Sequence, residues 1–143
     1  MKPQRIISLL LVFWTGCLFM QAQKIMKDSI KIQGHQRHFF MYLPDELPEN
    51  APLVFALHGY GNRGNQKSWM NEAANRHKFA VCIPVGLKDP KGKNSWNVGY
   101  PFQEGWKIDD VKTMCTMAKY VQKKYRLSKE NTFLTGMSNG GEM

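Results

Sequence analysis

The chain has 143 residues, of which 43% are hydrophobic and 12% aromatic. This length and composition suit one small globular domain and exclude a disordered or low-complexity protein. The formal net charge of +9 would favour anionic surfaces or polysaccharides, but the lysines are scattered and no basic stripe is interleaved with aromatic residues, so we expect no nucleic-acid binding.

Residues 1–22 have the pattern of a secretory signal peptide. Lys2 and Arg5 precede an apolar run, and small and polar residues follow it. Cleavage at the end of this segment removes two basic residues and no acid, which lowers the formal charge from +9 to +7. The apolar run is short for a membrane span of about 20 residues, so a membrane anchor and lipidation at Cys17 are the weaker alternatives. We therefore expect residues 23–143 to form a secreted domain, extracellular or periplasmic, without stable membrane insertion.

Two extended segments open this domain. Residues 29–43 begin with alternating apolar and polar positions and contain a turn at Gly34-His35, which predicts a β-hairpin. Residues 53–57 form a continuous apolar run, the pattern of a strand that is buried on both faces in a parallel sheet. We expect His35 and His38 on the hairpin surface rather than at a catalytic centre.

A glycine-rich turn, His58-Gly59-Tyr60-Gly61, follows the second of these segments. Serine hydrolases of the α/β type place one donor of their oxyanion hole in a turn at this position. Glycine allows the backbone to approach a substrate closely, and the Tyr60 N–H is the candidate donor. A plain connecting loop is the alternative.

A helix and a further buried strand come next. Helical spacing predicts a helix over residues 68–78, with Ser68 as its N-cap and His77 on its surface. The apolar run at residues 79–84, which contains Cys82, predicts the next strand.

The long segment at residues 85–105 is rich in glycine, proline, asparagine and lysine. Loops of this length inside compact domains are often functional. Trp96, within Ser95-Trp96-Asn97, is a candidate wall of a substrate pocket. Anchoring of the loop is an equally favoured role for this side chain.

Residues 108–126 form the strongest predicted helix. Asp109 and Asp110 lie in its first turn and basic residues lie toward its end, which suits the helix dipole, so the two acids are expected to be caps rather than catalysts. The predicted apolar face consists of Val111, Met114, Cys115, Ala118 and Val121. Cys82 and Cys115 are therefore expected as two buried free thiols, although export would permit a disulfide. No Cys/His spacing resembles a zinc site, so no metal is expected.

The chemistry is concentrated after a β-type run at residues 131–135. Gly136, Ser138 and Gly140 spell Gly-x-Ser-x-Gly, the nucleophile elbow of serine hydrolases, in which the serine occupies a strained strand-to-helix turn. Side chains at the flanking positions would collide with the strand or the helix, so glycine relieves the crowding. Asn139 would direct its backbone N–H at a developing oxyanion. An ordinary Gly/Ser turn is the alternative. The elbow is favoured because a glycine-rich turn lies upstream, and the segment between the two has room for a helix, a strand and a second helix.

Together these segments resemble the α/β-hydrolases, and more closely the secreted poly(3-hydroxybutyrate) depolymerase and feruloyl/acetylxylan esterase group. The matching segments, in the family's order, are Leu57-His58-Gly59-Tyr60-Gly61, Ser95-Trp96-Asn97, Ile108-Asp109-Asp110-Val111 and Thr135-Gly136-Met137-Ser138-Asn139-Gly140-Gly141. The resemblance implies a three-layer α/β fold, here a β-hairpin followed by a βαβαβ series that ends at the elbow. It also implies Ser138 as the nucleophile, Tyr60 and Asn139 N–H groups as the oxyanion hole, no cofactor, and an ester-bearing polymer or plant cell-wall material as substrate.

One feature departs from that group, in which the serine is followed by an acid and then a histidine. The four histidines all precede Ser138, and Glu142 is the only ionisable side chain after it. We therefore expect an N-terminal fragment of an esterase that is inactive alone, that lacks a C-terminal half, and that exposes a hydrophobic sheet edge. The alternatives are a secreted serine peptidase of the same superfamily and a non-catalytic remnant that binds polysaccharide or polymer.

Overall fold

The computed structural model of the protein describes residues 24–64 and 69–143. The expected signal peptide and the expected N-cap Ser68 lie outside these residues. The strands are β1 (Lys24–Ile32), β2 (His35–Leu43), β3 (Leu53–Leu57), β4 (Ala80–Pro84), β5 (Leu87–Lys88), β6 (Asn94–Ser95) and β7 (Thr132–Gly136). The helices are α1 (Asn71–His77) and α2 (Asp110–Tyr125), and short 3-10 turns cover Pro101–Gln103 and Ser138–Gly140.

The main sheet is mixed, with the order β1-β2-β4-β3-β7. The predicted parallel pairing is confirmed for β3 with β4 and for β3 with β7, while β2 joins the sheet antiparallel to β4. The hairpin is also confirmed, but its turn lies at Gln33-Gly34 and His35 already begins β2. Gln33 and Gly34 both have positive φ, of 51° and 80°, as a two-residue hairpin turn requires.

The two helices lie on opposite faces of the sheet. Alternate residues of a strand point to opposite faces, and the buried residues divide accordingly. Phe55 and Cys82 share one buried cluster with Met117 of α2, whereas Val81 shares the other with Ala74 of α1. This gives the three layers that were expected.

The predicted apolar face of α2 is partly wrong. Val111 is 61% exposed and Cys115 is also exposed, while Met117, which was not predicted, is fully buried. Cys115 lines an apolar groove of about 170 Å³ between α2 and β7, and β7 has no further neighbour among the described residues. The expectation of two free thiols is confirmed, but only Cys82 is buried, and burial raises the pKa of its thiol well above the usual value.

Strand β7 is an edge of the sheet. Among the described residues it pairs only with β3, and Phe133 and Leu134 are 57% and 48% exposed. The expected hydrophobic edge is therefore present. In the part of the chain that the structure describes, no helix is long and apolar enough to cross a bilayer.

Candidate active site

Ser138 lies just beyond the end of β7, in a conformation that side chains normally avoid. Its φ is +52°, and it is exposed at the start of the short 3-10 turn Ser138–Gly140. A non-glycine residue in this left-handed region costs about 1–2 kcal/mol. Such strain persists only where the surrounding structure enforces it, and it is concentrated at functional sites.

The glycines on either side of the serine permit this turn. A Cβ on Gly136 would lie 2.1 Å from the Gly140 carbonyl oxygen, and a Cβ on Gly140 would lie 2.7 Å from the His58 carbonyl oxygen. Both distances are far inside van der Waals contact, and both opposing atoms are backbone. The elbow therefore closes on itself at Gly136 and packs against the end of β3 at Gly140.

The glycine-rich turn after β3 lies beside the serine because the strands are parallel and in register. Leu57 pairs with Gly136, so β3 and β7 end at the same level. A Cβ on Gly59 would lie 3.6 Å from the Ser138 Cβ. Within the described residues, neither the Tyr60 N–H nor the Asn139 N–H has a hydrogen-bond acceptor. Two donors are thus available next to one hydroxyl-bearing side chain.

His58 is a structural residue of this turn. The Gly86 N–H donates to its Nε2 at 2.9 Å, so Nδ1 carries the proton and donates to the Gly59 carbonyl oxygen at 2.8 Å. Burial lowers the pKa of the imidazole, against the opposing effects of the Gly59 carbonyl and of Asp110. With both ring nitrogens engaged, His58 has no nitrogen with which to take a proton from Ser138.

The long loop anchors Asn139 through Trp96. The Trp96 N–H donates to Asn139 Oδ1 at 2.8 Å, and Asn139 Nδ2 donates back to the Trp96 carbonyl oxygen at 3.1 Å. The indole N–H donates to the His58 carbonyl oxygen at 2.9 Å. Trp96 is completely buried, so it anchors the loop and has no surface with which to wall a substrate pocket.

The sequence that forms this fold and site matches the model of a known family. Residues 30–143 match the family model named "Esterase", with the description "Putative esterase", which is most of the chain. The chain belongs to this esterase family. Its members are carboxylic ester hydrolases.

Two curated relatives of this chain are named as acetylxylan and feruloyl esterases. It is 27% identical over 122 residues to a bifunctional acetylxylan esterase/xylanase of Neocallimastix patriciarum, a match that covers 82% of this chain and 16% of the relative. It is 28% identical over 111 residues to feruloyl esterase B of Neurospora crassa, covering 73% of this chain and 36% of the relative. The chain therefore spans well under half the length of these relatives.

A solved structure gives the same fold. An acetyl xylan esterase from Aspergillus awamori superposes with a TM-score of 0.65 at 18% identity, covering 82% of this chain and 43% of that one. At this level of identity the likeness shows the fold, an N-terminal portion of an α/β-hydrolase.

Three aromatic rings near the candidate site make contacts that the sequence analysis did not predict. Tyr60 packs edge-on against Phe102 with ring centroids 5.7 Å apart, and Tyr100 lies 5.2 Å from Phe102. A hydrogen bond to Glu142 is the main cause that raises the pKa of the Tyr100 hydroxyl. The loop motif Tyr100-Pro101-Phe102 was the available signal, but only the folded loop brings it to Tyr60.

Among the described residues, no cluster of potential metal ligands occurs.

Proposed function

We propose that this chain carries the nucleophile and the oxyanion hole of a secreted carboxylic ester hydrolase. The observation that supports this most directly is the placement of Ser138. It is exposed and has a φ of +52° in a turn that only glycine can flank. The Tyr60 and Asn139 N–H groups nearby have no acceptor in the described part of the chain. A plain turn after a strand would need neither the strain nor the unused donors.

The proposed reaction proceeds through an acyl-enzyme. The Ser138 oxygen attacks the ester carbonyl carbon, and its proton passes to a base. The carbonyl oxygen becomes an oxyanion that accepts hydrogen bonds from the Tyr60 and Asn139 N–H groups. The alcohol leaves with a proton, and water then attacks the acyl group to release the acid and regenerate the serine. Removal of one oxyanion donor typically lowers kcat by about 100- to 1,000-fold.

The base for this reaction is proposed to come from outside the described residues. His58 has both ring nitrogens engaged. The remaining histidines are exposed and lie on the hairpin and on α1, namely His35, His38 and His77. A serine without a base is a weak nucleophile. We therefore propose that a further polypeptide segment supplies the acid and the histidine, and that this chain alone does not turn over esters.

The proposed substrate is an ester of a plant cell-wall polysaccharide, or another ester-bearing polymer. The names of the acetylxylan and feruloyl esterase relatives support this choice. Secretion is proposed from the signal-peptide pattern, since a polymer of this kind lies outside the cell.

Chemical rescue tests the role of Ser138. The chain and a Ser138→Ala variant are assayed with p-nitrophenyl acetate, first alone and then with imidazole as an added base. We expect equal rates without imidazole, and a higher rate for the parent than for the variant when imidazole is present. Turnover that depends on Ser138 without any added base would show that the chain already contains one. Equal rates under both conditions would contradict the nucleophile assignment.

A binding function without catalysis is the second candidate, because the ring of Tyr60 is 38% exposed next to Phe102. Retention on xylan or polyester particles tests it. Tyr60→Ala is a suitable variant, whereas Trp96→Ala would remove a buried anchor of the loop. Retention that falls with Tyr60→Ala while rescue fails would favour this candidate.

A further inference from the structure

A cavity lies between the end of the glycine-rich turn, at Gly61, and the β5–β6 hairpin. Its volume is about 440 Å³, which lies within the range of small-ligand sites. The residues that line it are Gly61, Arg63, Lys88, Gly92, Lys93 and Asn94. Among the described residues, the lining contains no aromatic or aliphatic side chain of the kind that usually dominates such sites, so it suits a polar ligand.

The cavity is structurally coupled to the candidate active site. The Gly61 N–H donates to the Asn94 carbonyl oxygen at 2.8 Å, which ties the glycine-rich turn to the β5–β6 hairpin. Gly61 has a φ of +74°, and the Lys93 side chain approaches within 4.0 Å of the position of a Cβ on this glycine. Gly59, two residues earlier, adjoins Ser138. A ligand in the cavity would therefore contact the same turn that borders Ser138.

Among the described residues, the charged side chains that line the cavity are all basic. Arg63, Lys88 and Lys93 are all exposed and can turn toward a ligand. The nearby carboxylate of Asp89 is buried and accepts the backbone N–H groups of Lys91 and Lys93 at 2.9 and 3.0 Å. Both bonds go to Oδ1, and Oδ2 is buried without a hydrogen-bond partner among the described residues; Asp89 is not one of the residues that line the cavity. Three cations around one polar cavity favour an anionic group on the ligand.

We infer that this cavity binds the carboxylate of an acidic sugar in the polysaccharide substrate, next to the ester that Ser138 attacks. The inference rests on the proposed function, since it names the substrate class of the same site. A sugar ring suits a polar cavity of this volume, and its carboxylate can be reached by more than one of the basic side chains. The enzyme would then select esters on acidic chains over those on neutral chains.

Binding of two matched oligosaccharides tests this inference without requiring turnover. The probes are a xylo-oligosaccharide that bears one glucuronic acid and the neutral oligosaccharide of the same length, titrated into the ¹⁵N-labelled chain. We expect the acidic probe to bind about tenfold more tightly, as a few exposed ion pairs of up to about 1 kcal/mol each would produce. The amide shifts of Gly61, Gly92 and Asn94 should move.

Two double variants carry the same loss of charge. Lys88→Gln with Lys93→Gln removes cations of the cavity, and Lys119→Gln with Lys123→Gln removes exposed cations of α2. We expect the first pair to abolish most of the preference for the acidic probe and the second pair to preserve it. Equal binding of both probes, no binding of the acidic probe, or equal effects of the two variants would overturn the inference.

The binding experiment and the imidazole rescue test different assignments, so one can fail while the other succeeds. Ser138→Ala should leave the binding preference unchanged, because the serine is not part of the cavity. If rescue with imidazole fails but the preference is observed, the cavity assignment stands and the nucleophile assignment falls. If rescue succeeds but no preference is found, only the cavity assignment is overturned.

Discussion

His58 shows how one side chain can look catalytic and be structural. It belongs to a glycine-rich turn that is associated with oxyanion holes, yet its ring accepts the Gly86 N–H and donates to the Gly59 carbonyl oxygen. It also stacks on Trp96 with ring centroids 4.8 Å apart. Both hydrogen bonds require a neutral imidazole protonated at Nδ1, and protonation of Nε2 would put two donors face to face. The residue thus fixes the turn that carries Tyr60.

This geometry predicts a loss of stability in mild acid. The pKa of the folded His58 is lowered from its usual 6.5, mainly by burial. Between the folded pKa and 6.5 the unfolded state therefore binds more protons than the folded state. The free energy of unfolding should be fully retained above about pH 6.5 and should fall as the pH drops below that value. NMR titration of the imidazole measures the folded pKa directly, and urea unfolding at several pH values measures the stability.

A His58→Gln variant should flatten this part of the stability profile. The control is His77→Gln, which removes an exposed imidazole of α1 and should leave the shape of the profile unchanged. A folded pKa for His58 at or above 6.5 would contradict the prediction.

At the scale of an element, the elbow is defined by backbone contacts rather than by side-chain packing. Gly136 and Gly140 face each other across the turn, with the carbonyl of Gly140 directly opposite the α-carbon of Gly136. The Gly140 N–H donates to the Met137 carbonyl oxygen at 3.0 Å. Because the turn closes this tightly, Ser138 cannot relax to a negative φ.

Alanine substitutions at two glycines of the elbow should therefore differ sharply. In Gly136→Ala the new methyl would lie 2.1 Å from a backbone oxygen, whereas in Gly141→Ala the nearest atoms lie at 3.2 Å. Overpacking of this kind typically costs about 1–3 kcal/mol, and more when backbone must move. We expect Gly136→Ala to lower the free energy of unfolding by about 3 kcal/mol and Gly141→Ala by under about 1 kcal/mol. Urea denaturation followed by circular dichroism measures both, and similar losses would contradict this account.

The elements of the fold were largely predictable from the sequence because their signals are local. The continuous apolar runs gave β3 and β4, and the Gly-x-Ser-x-Gly spacing marked a turn that the structure places at the end of β7. The burial of Cys115 was mispredicted, because helical periodicity cannot tell that β7 has no further neighbour among the described residues. For Trp96 the sequence left two roles open, and the choice between them, like the contact of Phe102 with Tyr60, depends on how the long loop folds.

At the scale of the whole molecule, a buried polar connection joins the hairpin, the long loop and α2. Arg37 of β2 donates to Asp110 Oδ1 at 2.6 Å, although the two residues are 73 positions apart. Asp110 Oδ2 accepts the Asn97 N–H at 2.8 Å, and the Arg37 guanidinium lies 6.0 Å from the Trp96 ring centroid. Asp110, expected only as a helix cap, therefore positions the loop that holds Asn139.

Loss of the Asp110 charge should accordingly be among the most damaging changes in the protein. In Asp110→Asn, the fully buried Arg37 loses its ion pair, and an uncompensated buried charge of this kind costs about 3–5 kcal/mol. Asp109→Asn is the matched control, because Asp109 is an exposed N-cap that accepts the Lys112 N–H, and asparagine caps equally well. We expect the control to change the free energy of unfolding by less than about 0.5 kcal/mol. If the two variants unfold at the same urea concentration, the buried pair does not hold the hairpin, the loop and α2 together, and the position of Asn139 must be determined by its contacts with Ser95 and Trp96.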